Sequence, residues 1–179
     1  MDKKRLYFFV EGDDDERFLK SVVIPVIEKH YQFIQIYQYA QKKPEKVTAF
    51  LKTIRSLNSR GIESDYMMIA DINSAPCVTG KKKLIFEKYD GISDEKIVIV
   101  IKEIESWYLA GLNASESGKL GLPVLEATDH IDKSGFDSLK PYKFQSRIDF
   151  MAEILRHFSR ETAGDRNVSL RYFFSKLKL

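Results

Sequence analysis

The sequence predicts an α/β fold in which a mainly parallel, four-stranded sheet is flanked by helices, followed by a helical carboxyl-terminal extension. Short continuous apolar runs, typical of strands buried in parallel sheets, recur in the first 112 residues. Segments with apolar residues at helical spacing separate them, and this alternation is typical of parallel sheets with right-handed crossovers. We therefore expect an α/β core over residues 1–112 and an extension over 113–179 that packs on it as one structural unit.

The first half of the predicted core is built around its first strand. Residues 6–10 are all apolar and end at Glu11, as expected of a buried strand. Apolar residues at three- to four-residue spacing then predict a helix over 14–29, which Pro25 should kink or divide. Polar and apolar residues alternate over 33–39, which predicts a second strand at an edge or in a half-exposed position.

The remaining elements follow from similar patterns. Pro44 is suited to the first turn of a helix, which we expect to extend to residue 57. The third strand, 66–70, and the fourth, 96–101, are again continuous apolar runs. Further helices are predicted over residues 81–89, 102–111, 144–158 and 168–177. Loop-like structure is predicted for residues 113–140 and 159–166.

Composition and motif content exclude several classes of protein. The single cysteine excludes an internal disulfide, and three histidines with one cysteine offer too few ligands for a Cys/His zinc site. No apolar stretch reaches the roughly 18 residues of a membrane span. Residues 1–5 lead into only five apolar residues, too few for a signal peptide. Phosphate-binding loops of the P-loop and G-x-G-x-x-G types are also missing. We therefore expect a cytoplasmic protein with no membrane partner.

Positive charge is concentrated towards the carboxyl terminus. Residues 133–179 hold ten Lys and Arg against five Asp and Glu. Among them, Lys140, Lys143 and Arg147 are candidates for binding substrate phosphates. A second basic run, 81–83, begins a predicted helix, where cations oppose the helix dipole and thereby suggest an anion nearby. For both sets, an ordinary solvated surface is the alternative explanation.

Three of the four predicted strands end in a group that carries an acid. Glu11 follows the first strand, Asp71 and Asn73 follow the third, and Glu103 and Glu105 follow the fourth. Because the carboxyl ends of parallel strands lie at one edge of a sheet, we expect these groups to converge. Gathered carboxylates repel each other, and a divalent cation relieves the repulsion; oxygen ligands suit Mg²⁺ or Mn²⁺ better than zinc. The alternative is that these acids follow strands because they cap helices.

Five short motifs occur in a fixed order along the chain. They are F-F-V-E-G-D-D-D-E-R-F at 8–18, M-I-A-D-I-N at 68–73, E-S-W-Y-L-A at 105–110, Y-K at 142–143 and S-L-R-Y-F at 169–173. The first two resemble the TOPRIM domain of topoisomerases, primases, recombination factors and OLD-type nucleases. With the other three, the chain is similar to small standalone TOPRIM-like proteins of unassigned function, so the resemblance covers most of its length.

The resemblance implies a Rossmann-like TOPRIM domain with a Mg²⁺ site. It implies that Glu11 is the general acid/base or the primary ligand, that Asp71 is a metal ligand, and that Glu105 is an additional acid of the site. Asn73 stands where the family has the second acid of D-x-D, and it offers a carbonyl oxygen without charge. Since residues two apart on a helix face different directions, only one of Glu103 and Glu105 should face the site.

Two functions remain open on the sequence. The first is a Mg²⁺- or Mn²⁺-dependent phosphoryl-transfer enzyme, a nuclease on DNA or RNA in a defence-type system, with Glu11, Asp71 and Glu105 as catalytic residues. The second is a TOPRIM-like module without catalytic activity that binds nucleic acid, a nucleotide or a partner ATPase. Asn73, which lacks the charge of an acid, favours the second function.

Overall fold

The computed structural model describes residues 4–179. Residues 1–3, part of the segment used to exclude a signal peptide, lie outside the described residues. The chain divides into two compact units, the first extending to Ile99 and the second running from Val100 to Leu179. None of the helices within residues 4–179 combines the length and the apolar character that crossing a membrane requires.

The first unit is built on a four-stranded sheet with strand order β2-β1-β3-β4. Its strands are β1 (Lys4–Val10), β2 (Tyr31–Gln38), β3 (Ser64–Asp71) and β4 (Ile97–Val100). The central strand β1 pairs in parallel with both β2 and β3. The sheet is parallel throughout and flanked by helices, so the predicted Rossmann-like α/β fold is confirmed, as is the edge position of β2.

The burial of the strands agrees with the central position of β1 and the edge position of β2. Its last five residues are at most 4% exposed, as expected of a strand covered on both faces. In β2 most side chains are exposed or half-buried, and Phe33 is 44% exposed. The helix α3 (Pro44–Ser59) contributes Val47, Leu51 and Ile54 to the same apolar cluster as the sheet residues. The spacing of these three residues is the helical periodicity from which α3 was predicted.

The segment after Gly12 is helical but changes its winding. It consists of α1 (Asp13–Phe18), a π-helical stretch (Leu19–Val23), α2 (Ile24–Ile27) and a 3₁₀ turn (Glu28–His30). Pro25 has no N–H and its ring crowds the carbonyl group of residue 21, so the preceding turn widens. The predicted division of this helix by Pro25 is therefore confirmed.

The helix α4 (Val78–Lys88) begins three residues earlier than predicted. The sulfur of Cys77 accepts a hydrogen bond from the backbone N–H of Gly80 at 3.4 Å and caps the first turn. Consequently Lys81 lies one turn inside the helix instead of at its first position. A 3₁₀ turn (Asp94–Lys96) then leads into β4.

The second unit is helical, as predicted for the carboxyl-terminal part of the chain. Its helices are α5 (Glu105–Ala110), α6 (Ala114–Leu120), α7 (Lys133–Leu139), α8 (Arg147–Arg156), α9 (Arg160–Arg166) and α10 (Val168–Leu177). The prediction of loops is wrong for 114–120, 133–139 and 160–166, where α6, α7 and α9 lie, and is confirmed for 121–132, which is irregular. Each of these short helices is capped by a polar side chain, from Asn113, Asp132 and Ser159 respectively.

The prediction of a helix from residue 102 is also wrong at its start. Lys102 adopts a left-handed backbone conformation with φ of 64°, which a continuing α-helix does not allow. The helix α5 therefore begins only at Glu105, and Glu103 precedes it. Glu103 and Glu105 therefore do not lie on one helix, since only Glu105 is helical.

Candidate active site at the strand ends

Glu11 lies one residue beyond β1, at the carboxyl end of a central strand. Its Oε1 atom accepts hydrogen bonds from the backbone N–H of Asp71 at 3.2 Å and from the hydroxyl of Tyr39 at 3.3 Å. The ammonium nitrogen of Lys81 is 3.9 Å from the same oxygen. No residue within 4–179 donates a hydrogen bond to Oε2. One carboxylate oxygen is thus fixed by the protein, and the other remains available to a ligand.

Asp71 and Asn73 lie beside Glu11 at the end of β3. The N–H of Asp71 joins the two strand ends through Glu11. Asn73 adopts a left-handed conformation with φ of 50°, and its Nδ2 atom donates to the backbone carbonyl of Asp71 at 3.3 Å. Asn73 and Glu11 line one cavity of about 330 Å³. The structure therefore brings these three candidate residues together in the first unit.

Tyr39, which the sequence analysis did not identify, holds the Glu11 side chain in place. It is 5% exposed, and its hydroxyl lies within hydrogen-bond reach of Glu11 Oε1 and of the Ile69 carbonyl oxygen. Burial, and secondarily the charge of Glu11, raise the pKa of Tyr39 well above its ordinary value. The phenol therefore keeps its proton at neutral pH and acts as a donor to Glu11.

Asp15 is a buried acid close to Glu11 in the first turn of α1. It is 4% exposed, and its Oδ2 atom accepts the backbone N–H of Gly12 at 3.1 Å. Its buried Oδ1 atom has no hydrogen-bond partner within residues 4–179. Burial raises the pKa of Asp15 to about 7, opposed by the Gly12 hydrogen bond and reinforced by the charge of Glu11. The sequence signal for this residue is its place in the acidic run 13–16, which directly follows Glu11 and Gly12.

The residues at this edge carry oxygen donors of the type that a divalent cation such as Mg²⁺ takes. Mg²⁺ in enzymes usually keeps several waters and binds through one or two carboxylates together with substrate phosphates. Glu11, Asp71 and Asn73 each offer side-chain oxygen atoms and no nitrogen or sulfur ligand of the kind that zinc prefers. Within residues 4–179 no group of three or more Asp, Glu, His or Cys side chains is placed to hold a metal ion by itself.

Glu105 lies in the second unit, where it has a basic partner. Its side chain is 6% exposed and forms an ion pair with Arg147. The Arg147 guanidinium also lies 3.5 Å from a carboxylate oxygen of Asp137 and 5.6 Å from the ring centre of Phe136. Glu103, by contrast, accepts the backbone N–H of Lys133. The structure thus pairs a predicted site acid, Glu105, with a predicted phosphate-binding residue, Arg147.

The other two candidate phosphate-binding residues contact backbone carbonyls of the second unit. The ammonium group of Lys140 donates to the carbonyl of Phe144 at 3.0 Å, and that of Lys143 donates to the carbonyl of Lys119 at 3.1 Å. A substrate phosphate would have to compete with these carbonyls for either ammonium group. The two contacts instead stabilise the segment that precedes α8.

No family model matches the chain, and no curated protein matches it. Among solved structures, the chain is similar to the C-terminal region of the Burkholderia pseudomallei OLD protein. The two share 13% identity with a TM-score of 0.37, and the match covers 97% of this chain and 95% of the other. At this TM-score the similarity carries no argument about function.

Proposed function

We propose that this protein is a divalent-metal-dependent phosphoryl-transfer enzyme, a nuclease acting on DNA or RNA, with Glu11 and Asp71 as its catalytic carboxylates. The observation that carries the proposal is the junction of two central strand ends at Glu11. One oxygen of Glu11 is held there by Asp71 and Tyr39, while the other is left to a ligand beside an open cavity. The Glu11 side chain is 25% exposed, so a ligand can reach the oxygen that the protein does not engage.

Mg²⁺ or Mn²⁺, when bound, polarises a phosphoryl oxygen and activates a water for in-line displacement. Glu11, Asp71 and Asn73 are the residues that would hold it. Tyr39 and the N–H of Asp71 orient the Glu11 carboxylate, which reduces the reorganisation needed during the reaction. Asp15, with a pKa of about 7, can hold or release a proton close to Glu11 at neutral pH.

A second function is favoured by the charge balance of the site. Asn73 contributes no charge, and Lys81 places a positive charge 3.9 Å from Glu11. Both features lower the attraction for a cation and raise it for a polyanion. The alternative is therefore a module that binds nucleic acid, a nucleotide or a partner ATPase without hydrolysing a phosphodiester.

The two functions are separated by an assay with a panel of substrates. The protein is incubated with end-labelled single- and double-stranded DNA and RNA in Mg²⁺, in Mn²⁺ or in EDTA. We expect metal-dependent cleavage of at least one substrate and a loss of about a hundredfold or more in Asp71→Asn. Asp90→Asn is the matched control, because that side chain is 77% exposed and pairs with Lys52. Binding without cleavage in every condition would support the second function, and cleavage that persists in EDTA would contradict the metal site.

A further inference from the structure

We propose that the cavity beside Glu11 binds one nucleotide unit of the substrate, with its phosphate at Lys81 and its nucleoside within reach of the Tyr89 hydroxyl. This inference rests on the proposed function, because it assigns the substrate class of the same site. It identifies two binding residues, Lys81, which belongs to the basic run 81–83, and Tyr89, which no sequence pattern indicates.

The cavity has the size and lining of a small-ligand site. Its volume of about 330 Å³ is near the lower end of the range for ligand pockets, roughly 300–1,000 Å³. Tyr39 and Tyr89 are buried, whereas Leu84 and Lys88 in its wall are exposed, so the cavity opens to solvent on their side. A single nucleoside with one phosphate matches this space, and a longer segment would have to continue outside it.

Tyr89 gives the strongest indication of a ligand. The residue is 1% exposed, and its hydroxyl is buried without a hydrogen-bond partner within residues 4–179. Its ring packs edge-on against Tyr39 at 5.8 Å between ring centres, and Lys88 lies 5.2 Å from the ring centre. Leaving a buried hydroxyl unpaired costs free energy, and such groups are rare in folded proteins. A polar group of a bound nucleoside would supply the missing partner.

Lys81 is suited to bind the phosphate. Its side chain is 15% exposed, and its ammonium group has three donors, of which the Glu11 contact at 3.9 Å engages at most one. Its neighbours differ, since Lys82 is paired with Asp94 at 3.0 Å and Lys83 is 78% exposed. Of the three consecutive lysines, Lys81 is the one in the wall of the cavity.

The charges around the cavity also favour a phosphodiester. A phosphate beside Glu11 would be repelled by the carboxylate, and Lys81 offsets that repulsion at short range. Asn73 serves the same end, because an acid at this position in the cavity wall would add a second negative charge. The amide that weakens a metal site is therefore an advantage for binding the substrate.

The test is nucleotide binding without a metal. Binding of adenosine, cytidine, guanosine and uridine 5′-monophosphates is measured individually by ligand-observed NMR in EDTA, with inorganic phosphate and adenosine as partial ligands. We expect at least one mononucleotide to bind more tightly than either partial ligand. Lys81→Gln should weaken this binding about tenfold, as for loss of a charge-assisted contact. Tyr89→Phe should weaken it about three- to tenfold. Lys83→Gln removes the same charge from the same helix outside the cavity and should change the affinity less than twofold.

Thermal unfolding without ligand controls for damage to the fold. Tyr89→Phe removes a hydroxyl that has no partner, so its melting temperature should equal or exceed that of the wild type. The inference is overturned if no mononucleotide binds, if phosphate alone binds as tightly, or if Tyr89→Phe binds like the wild type. Cleavage of nucleic acid without mononucleotide binding would refute this inference and leave the proposed function standing. Mononucleotide binding with the expected variant pattern, but without cleavage, would refute the nuclease alone.

Discussion

Replacing Arg147 by methionine should strongly destabilise the second unit. The Glu105 side chain is 6% exposed and the Arg147 side chain 20% exposed, so the pair is largely removed from water. Deleting the base leaves a buried carboxylate without its cation, and such changes cost about 3–5 kcal/mol. For 179 residues that unfold cooperatively, a loss of about 4 kcal/mol corresponds to a decrease of about 10 °C in melting temperature.

The protein contains its own probe for this measurement. Trp107 is the single tryptophan, lies in α5 two residues after Glu105, and is fully buried. Urea unfolding followed by its fluorescence therefore reports on the helix that carries Glu105. Arg156→Met is the matched control in the same helix as Arg147, since Arg156 is 75% exposed and pairs with Glu153 at the surface. It should lower the urea midpoint much less than Arg147→Met does, because an exposed ion pair contributes little to stability.

A double variant separates a structural pair from a functional one. In Glu105→Leu/Arg147→Met both charges are gone, and apolar replacement of a buried pair is often neutral or stabilising, so most of the lost stability should return. The reasoning is refuted if Arg147→Met unfolds at the same urea concentration as Arg156→Met. In that case Arg147 would not neutralise Glu105, and its guanidinium would be available to bind a substrate phosphate.

The first unit gives further predictions. Because the pKa of Asp15 is about 7 when folded and its ordinary value is 3.8, the folded state binds the proton more tightly. The ionised Asp15 side chain therefore destabilises the folded state. This destabilisation is absent below about pH 4, grows as the pH rises to 7, and reaches about 4 kcal/mol above pH 7. Asp15→Asn should therefore gain stability over the wild type between pH 5 and pH 8 in urea unfolding, and parallel pH profiles would contradict the raised pKa. Calorimetric titration with Mn²⁺ should show binding that Asp71→Asn abolishes, and equal binding by both proteins would exclude the metal site. Tyr39→Phe should reduce cleavage about tenfold with little change in substrate affinity, since its hydroxyl orients Glu11, and an unchanged rate would show that this contact is dispensable.

The strands were predictable because each buried strand is a continuous apolar run. Once the ends of β1 and β3 are located from these runs, the polar residues at those ends are identified as candidate site residues. They are Glu11, Asp71 and Asn73. The carboxyl-terminal helices α6, α7 and α9 were missed because each has only seven residues and too few apolar positions to show a period. Their caps, such as Asn113, were the better signal.

Residues that act through tertiary contacts could not be found in this way. Tyr39 reaches Glu11 across 28 positions of sequence, and no local pattern indicates that contact. Nothing in the sequence distinguishes Lys81 from the two lysines that follow it. The distinction comes from the start of α4, which Cys77 caps, and from the position of Lys81 on that helix within reach of Glu11. The ion pair between Glu105 and Arg147 could not be predicted either, because the two residues are 42 positions apart. Charge alone indicated only that Arg147, like Lys140 and Lys143, was a candidate for binding phosphate.

The most direct test of the proposed function is the single-turnover cleavage rate of Glu11→Gln on the best substrate of the panel. The glutamine keeps an oxygen that can accept the hydrogen bonds of Asp71 and Tyr39 but removes the charge. We predict that this variant folds with the melting temperature of the wild type within about 3 °C and cleaves at least about a thousandfold more slowly. Equal cleavage rates for the two proteins would contradict the assignment of Glu11 as the acid of the site.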